Sequence, residues 1–264
     1  MADQGGELAG QISLVTGAGS GIGLGIAGVL ARHGSVVVCL DIKAAAAEEA
    51  AKQIEASGAR AFSRQHDVRD WEGAKVLANE VEESIGPIGI LVNNAGVYHA
   101  ASLENLSQEA HERLYAVNVG GVFGMCRAVI SGMKRRREGK IVNISSVAGR
   151  DPLALSPSYG SSKSAVLGLT KSLAKDLAGY NINVNAVLPG FVWSELTQQS
   201  CVEMAAITGK TAEEVWQSRV AAVPLKRAQD PEDIGEAVAF LASARARNIT
   251  GQGLSVCGGA QMHG

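Results

Sequence analysis

Paired cysteine is the first thing this chain lacks. Its four cysteines, Cys39, Cys126, Cys201 and Cys257, show no paired spacing. A disulfide scaffold is excluded, and the residues read as buried thiols of a reducing compartment. The five histidines are scattered, with no H-E-x-x-H or similar metal spacing. No run of about 18 apolar residues is found, so no transmembrane helix is expected. Met1 to Glu7 has neither a basic patch nor an apolar core, so it does not read as a signal peptide. Positive charge is not in excess either. Lys and Arg number 24 against 26 Asp and Glu, a net charge of −2, which gives no reason to expect nucleic acid or a membrane as partner. The one basic run, Lys134 to Arg137, has no aromatic residues beside it and reads as a helix end, where cations suit the dipole. Linkers, repeats and low-complexity segments are also missing. A cytoplasmic protein with one domain over residues 1–264 is expected, and 46% hydrophobic residues are enough for one large core.

What the chain does have begins at Gln11. Ile12 to Val15 is a short apolar run; Thr16-Gly-Ala-Gly-Ser-Gly-Ile-Gly23 turns it; Ile22, Ile26, Val29 and Leu30 then follow helical spacing. Strand, glycine turn and helix form the phosphate-binding start of a nucleotide-binding βαβ unit. Gly17 suits the tight turn, Gly21 the close approach of backbone to a pyrophosphate, and Gly23 the packing of helix on sheet. Ser20 and Ile22 sit among them at the helix start, whose N–H groups face the phosphate charge. A literal G-x-G-x-x-G at Gly23, Gly25 and Gly28 starts too late, because Gly17 already follows the strand. A second strand, Val36 to Leu40, ends at Asp41, placed to hold the adenosine ribose.

Strands and helices alternate from there. A helix is expected over Ala44 to Ser57 and a strand over Ala59 to Ser63, leading to His66, Asp67 and Val68. A helix over Asp70 to Ile85 is followed by the strand Ile88 to Val92 and by Asn93-Asn94-Ala95-Gly96. One long helical region covers Ser107 to Arg137. The strand Gly139 to Ile144 ends at Ser145 and Ser146, and a helix runs from Ser158 to Leu177. The strand Asn183 to Leu188 stops at Pro189-Gly190. Phe191 to Val223 reads as long and partly helical, too long for a simple connection, and is expected to be a substrate lid over residues 191–223. A helix over Pro231 to Ser243 and the strand Gly253 to Val256 close the chain. Continuous apolar strands alternating with helices predict an α/β, single-domain, doubly wound Rossmann fold: a seven-stranded parallel sheet with helices on both faces.

Tyr159 and Lys163 stand four apart on a predicted helix and so share one face. A free phenol has a pKa of about 10. A neighbouring ammonium is expected to lower it by ~1–3 units, which makes an acid/base usable near neutrality. Ser146, at the preceding strand end, is placed to hydrogen-bond the oxygen of an alcohol or ketone.

The ordered set of Thr16 to Gly23, Asn93 to Gly96, Asn118, Ser146, Tyr159-Gly-Ser-Ser-Lys163 and Pro189-Gly190 resembles the short-chain dehydrogenase/reductase family, over about Leu8 to Gly259. The resemblance implies a nicotinamide cofactor and interconversion of alcohols and ketones. It makes Tyr159 the general acid/base, and Lys163 the residue that lowers its pKa and holds the nicotinamide ribose. Ser146 orients the substrate, with Ser145 as its rival, and Asn118 anchors a proton-relay water. By the same resemblance Asp67 and Val68 are adenine contacts. Asn94 steadies the central strand end, and Val192 and Ser194 touch the carboxamide beside Pro189 and Gly190. Cys257 stands where the family usually has aspartate. His99 and Trp193 are open between lining the substrate pocket and ordinary loop packing. Asp41 points to NAD as cofactor, and a homotetramer or homodimer follows from the resemblance. A sugar-alcohol or diol dehydrogenase, a 3-oxoacyl reductase and a non-catalytic dinucleotide-binding regulator are the alternatives.

Overall fold

Strand residues that face opposite sides of a sheet bury two separate cores, and this chain builds both. The computed structural model describes residues 6–262; residues 1–5, in the stretch read for a signal peptide, and 263–264 lie outside the description. The strands are β1 (Ile12–Thr16), β2 (Val36–Asp41), β3 (Ala61–Gln65), β4 (Ile88–Asn93), β5 (Gly139–Ile144), β6 (Ile182–Pro189) and β7 (Gly253–Val256). They form one seven-stranded sheet in the order β3-β2-β1-β4-β5-β6-β7, every pairing parallel. Leu14 and Val38 face one side, Val15 and Cys39 the other.

The helices are α1 (Gly21–Arg32), α2 (Ala44–Ala56), α3 (Trp71–Ser84), α4 (Gln108–Tyr115), α5 (Gly121–Arg136), α6 (Pro157–Leu177), α7 (Glu195–Thr208), α8 (Ala212–Ala222) and α9 (Pro231–Ala242). Ile26 and Leu30 of α1, Ile54 of α2 and Val238 of α9 pack on the Val15 face. Val81 of α3, Met125 and Met133 of α5 and Val166 of α6 pack on the Leu14 face. Both faces are covered, which is why the strands read as unbroken apolar runs.

Two expectations need adjustment. The helix expected over Ser107 to Arg137 is interrupted: Ala116–Gly120 is a π-helical turn between α4 and α5. One extra residue in a turn shifts the helix phase but leaves the apolar pattern almost unchanged, so it is invisible in the sequence. The whole run, Gln108–Arg136, is also long and apolar enough by length and composition to cross a membrane, contrary to the expectation that no segment would be. In this fold it packs against α3, α6 and β4. The segment Phe191 to Val223 resolves into α7 and α8, separated at Gly209, with a capping box of Thr211 and Glu214 starting α8.

The most extensive helix–helix contact is α1 on α9. A methyl group on Gly25 would lie 2.8 Å from the carbonyl carbon of Pro231, whereas one on Gly28 would meet only the end of Arg32, at 3.9 Å. Gly25→Ala is therefore expected to destabilise the protein by roughly 1–3 kcal/mol through overpacking. Gly28→Ala is expected to be neutral, or stabilising by up to about 1 kcal/mol through helix propensity. Thermal unfolding of the two variants side by side checks this, and equal midpoints would disprove the contact argument.

Candidate active site

The order of strands reverses between β1 and β4: the chain builds outward to β3 on one side and to β7 on the other. Loops leaving the carboxyl ends of neighbouring strands part there, and a crevice opens. In this protein it is a cavity of about 590 Å³. All but one of the residues given a catalytic or cofactor-binding role from the sequence line it.

The glycine turn forms one end. Gly17 and Gly21 have φ of +63° and +52°, left-handed values that a side chain would strain. A Cβ on Gly23 would collide with the Gly17 carbonyl and come within 2.5 Å of Asn94 Nδ2. Ser20 precedes α1 but makes no side-chain cap, and no acidic residue lies in the first turn. The N–H groups around Ser20, Gly21, Ile22 and Gly23 thus face the cavity without an internal anion on them from α1 itself. Asn94 fixes the turn from the next strand: its Nδ2 donates to the carbonyls of Thr16 (3.0 Å) and Gly17 (3.1 Å). Asp41, at the end of β2, accepts from Gly19 N at 3.1 Å and from Lys43 N at 3.0 Å. Its carboxylate is thereby held beside the turn. A cradle shaped by absent Cβ atoms, with free helix-start donors and a fixed carboxylate next to it, fits a dinucleotide.

Asp67 and Val68 follow β3. Asp67 is clasped by Arg69, and that guanidinium holds its carboxyl below the ordinary range. Val68 is buried and abuts Gly121 of α5. Pro189 ends β6, and Gly190 N donates to Val256 O of the neighbouring β7 at 3.0 Å. Val192 is buried and forms a parallel bridge with Gln229. Ser194 is the N-cap of α7, accepting from Thr197 N at 3.3 Å.

At the other end stand Ser146, Tyr159 and Lys163. Ser146 ends the β5 loop, and its hydroxyl lies close enough to the Tyr159 phenol to work against the rise in its pKa. Ser145 Oγ instead donates to the Lys163 carbonyl at 2.8 Å, so it is Ser146 that meets the phenol. Lys163 is buried, donates from Nζ to the Ile144 carbonyl at 3.0 Å, and lies 5.8 Å from the centre of the Tyr159 ring.

The expected lowering of the tyrosine pKa by this lysine is not what the protein alone displays. Burial pushes Tyr159 up to about 12, outweighing the opposing effect of Ser146, and pushes Lys163 down to about 8. Desolvation penalises both charged forms, and at almost 6 Å the ammonium does not offset it. The resting state at pH 7 is a neutral phenol beside a lysine that is mostly charged, by about ten to one.

Asn118 is the one residue that does not line the cavity. It lies in the π-helical turn, one layer behind. Its Oδ1 accepts from Val97 N (2.8 Å) while Nδ2 donates to Val97 O (2.9 Å) and Ser162 Oγ (3.1 Å). Its side chain thus pins the loop after β4 to α6. Trp193 also points elsewhere, half exposed and packed at 4.6 Å on Trp216. Cys257 is buried, with its Sγ 3.5 Å from the Gln261 carbonyl. His99 does line the cavity, 3.9 Å from Glu203 of α7. Tyr98, Gln199 and Glu203 line it too and were not legible as site residues. Tyr98 carried a weak signal, two positions past Gly96; Glu203 carried none.

Lys163 gives a pH test with a definite sign. The native state releases this proton near pH 8, an unfolded lysine near 10.5. Between those values the unfolded chain binds more protons, so this group's contribution to stability rises with pH and is lost as pH falls through 8. In a protein reductively methylated with ¹³C, one lysine resonance should titrate near 8 and be missing from Lys163→Met. Titration of every lysine above 10 would contradict the burial argument.

The profile of the short chain dehydrogenase family matches residues 11–204. The chain is 37% identical to Oxidoreductase UcpA of Salmonella typhimurium over 260 residues, covering 97% of each chain. It is 34% identical to the 3-oxoacyl-[acyl-carrier-protein] reductase FabG of Thermotoga maritima, over 96% of this chain and 98% of the relative. It is 36% identical to 2-(S)-hydroxypropyl-CoM dehydrogenase 3 of Xanthobacter autotrophicus, over 96% and 97%. Among solved structures, NAD+-bound xylitol dehydrogenase superimposes with a TM-score of 0.92 at 33% identity, over 96% of this chain and 99% of that one. With its seven-stranded parallel sheet and the matched profile, this chain is an oxidoreductase of the short-chain dehydrogenase family.

Proposed function

We propose that the chain interconverts a secondary alcohol and a ketone, with NAD as its cofactor. The observation that carries this reading is the gathering of Ser146, Tyr159 and buried Lys163 in the same cavity as the glycine cradle. The nicotinamide, when bound, supplies or accepts the hydride. Gly17 to Gly23, Asn94, Asp67, Val68, Pro189, Gly190, Val192 and Ser194 would hold the dinucleotide, and Asp41 would take its adenosine ribose.

The chain's own residues handle the proton. In the reducing direction, Ser146 donates a hydrogen bond to the substrate carbonyl oxygen and orients it. Tyr159 then hands its phenolic proton to that oxygen, and the reverse transfer serves oxidation. A phenol held neutral is primed as the acid. The resulting phenolate is stabilised by the Lys163 ammonium, whose charge is kept at pH 7. The reverse direction needs the phenolate first and so is favoured at higher pH. Tyr159→Phe should reduce kcat by at least ~10²-fold while NADH affinity stays nearly unchanged. Retention of more than about a tenth of wild-type kcat would remove Tyr159 from the acid/base role.

Asp41 supports NAD over NADP. A 2′-phosphate carries about 1.5–2 negative charges. At ~5 Å and an effective dielectric of ~20, each would be repelled by the carboxylate by about 3 kcal/mol. Screening reduces this, but ~1.4 kcal/mol already gives tenfold. We expect kcat/KM to favour NAD at least tenfold and Asp41→Ala to relax that preference. Equal wild-type efficiency with both cofactors would refute it; Lys43, on the same cavity wall, is the group that would then be responsible.

A neutral polyol or diol is the second reading of the substrate, supported by the likeness to xylitol dehydrogenase; a 3-oxoacyl thioester, by the likeness to FabG, is the third. A panel of secondary alcohols and ketones separates them. The α7–α8 segment is proposed as the lid, because Glu203 of α7 bonds Ala100 N across the cavity mouth at 2.8 Å. Hydrogen exchange over residues 191–223 should slow in the ternary complex, and unchanged exchange would make it a fixed wall. A cytoplasmic location, no nucleic-acid or membrane partner, and a homotetramer or homodimer complete the reading. Light scattering that finds a monomer would correct the last.

A further inference from the structure

The loop after β4 brings a second tyrosine to the reacting phenol. The Tyr98 ring stands edge-on to that of Tyr159, with centroids 5.0 Å apart and planes at 65°, the arrangement aromatic pairs prefer. Burial pushes the Tyr98 pKa up, so it stays neutral and does not act as a rival acid/base. Ser156 precedes the first residue of α6, the helix that carries Tyr159 and Lys163, and its Oγ donates to Leu153 O at 2.9 Å. The backbone closes the same seam, Ala101 N donating to Leu155 O at 2.9 Å. From the other side, Glu203 of α7 accepts from Ala100 N, and Asn118 grips both backbone groups of Val97. Tyr98 is therefore pinned on three sides while its ring rests on the ring of Tyr159.

Tyr159 itself is held less completely. Its hydroxyl has Ser146 nearby, and Lys163 is bonded to a backbone carbonyl rather than to the phenol. Proton transfer requires heavy atoms within about 2.6–3.2 Å, and a misplacement of about 1 Å can cost ~10²-fold. We propose that Tyr98 is a positioning residue: its ring, carried on a stretch whose backbone is tied to the segment before α6, fixes the plane of the Tyr159 ring so that the phenol meets Ser146 and the substrate oxygen in line. This inference deepens the reading of Tyr159 as acid/base and rests on it.

The test uses the full chain, the best alcohol or ketone from the panel, and NAD(H). Tyr98→Leu should lower kcat about 10–100-fold, with substrate KM and NADH Kd (by fluorescence) changed less than about threefold. Tyr98→Phe keeps the ring and should return kcat to within about fivefold of wild type. Rescue by phenylalanine with the loss confined to kcat supports positioning. A kcat for Tyr98→Leu within about threefold of wild type overturns it. So does a loss confined to KM, which would make Tyr98 a substrate contact, or a Phe variant as impaired as Leu, which would assign the effect to the hydroxyl. If Tyr98→Leu does not fold, Tyr98→Met, flexible and closer in volume, is read by the same three quantities. Turnover surviving in Tyr159→Phe would overturn the underlying acid/base reading. An inactive Tyr159→Phe with an unimpaired Tyr98→Leu would overturn only the role of Tyr98.

Discussion

One hydroxyl joins the two halves of the sheet at the point where the site opens. Thr16 Oγ1, at the end of β1, accepts from Asn94 N at 2.9 Å and Ala95 N at 3.0 Å and donates to Val92 O at 3.4 Å. The loop beyond β4 therefore hangs from β1, and the Asn94 side chain returns the link to the glycine turn. Two partly buried N–H groups would lose this partner if the hydroxyl were lost, at up to about 1–3 kcal/mol each. The position of the dinucleotide cradle relative to the chemistry depends on this knot. It sets the glycine turn on one side and starts, on the other, the segment that runs through Gly96 and Val97 to Tyr98.

The chemistry proposed for this protein sits on the far side of that segment, on the 21-residue helix α6. A rigid helix fixes the Tyr159–Lys163 spacing, but their environment sets their protonation. Lys163 is buried with a single backbone carbonyl on its ammonium. Such an environment is costly for a charge, and the cost appears as a pKa near 8 rather than as a lost fold. Perturbed groups gathered in a cleft mark functional sites. Here a raised phenol and a lowered amine share one cavity, and among the described residues no acidic side chain is bonded to either.

The layer behind the cavity is equally specific. Asn118 uses both ends of its amide on Val97, and its place in a π-helical turn lets it face the loop from the middle of a long helix. Glu203 does the same from the opposite wall, joining α7 to Ala100. Three elements distant in sequence thus hold one short stretch, residues 97–101, against the start of α6. Loops that carry function on a rigid frame are usually pinned in this manner.

Much of this protein is written locally. The apolar runs, the helix periods and the glycine punctuation determined the seven parallel strands and the doubly wound order, because burial on both faces leaves an unbroken apolar run and crossovers have one hand. The spacing from Thr16 to Gly23, the acid at Asp41 and the Tyr159–Lys163 interval likewise determined which residues would meet in one cavity, since each lies just beyond a strand's carboxyl end. Tertiary structure alone decided the rest. The π-helical turn at Ala116–Gly120 costs one residue of phase and leaves no periodic trace. Asn118 faces Val97 rather than the cavity, Trp193 packs on Trp216, and Tyr98 and Glu203 enter the site from segments with no motif. The protonation of Tyr159 was also beyond the sequence: spacing says that an ammonium shares its helix face, but desolvation depends on everything packed around the phenol, and here burial outweighs the charge.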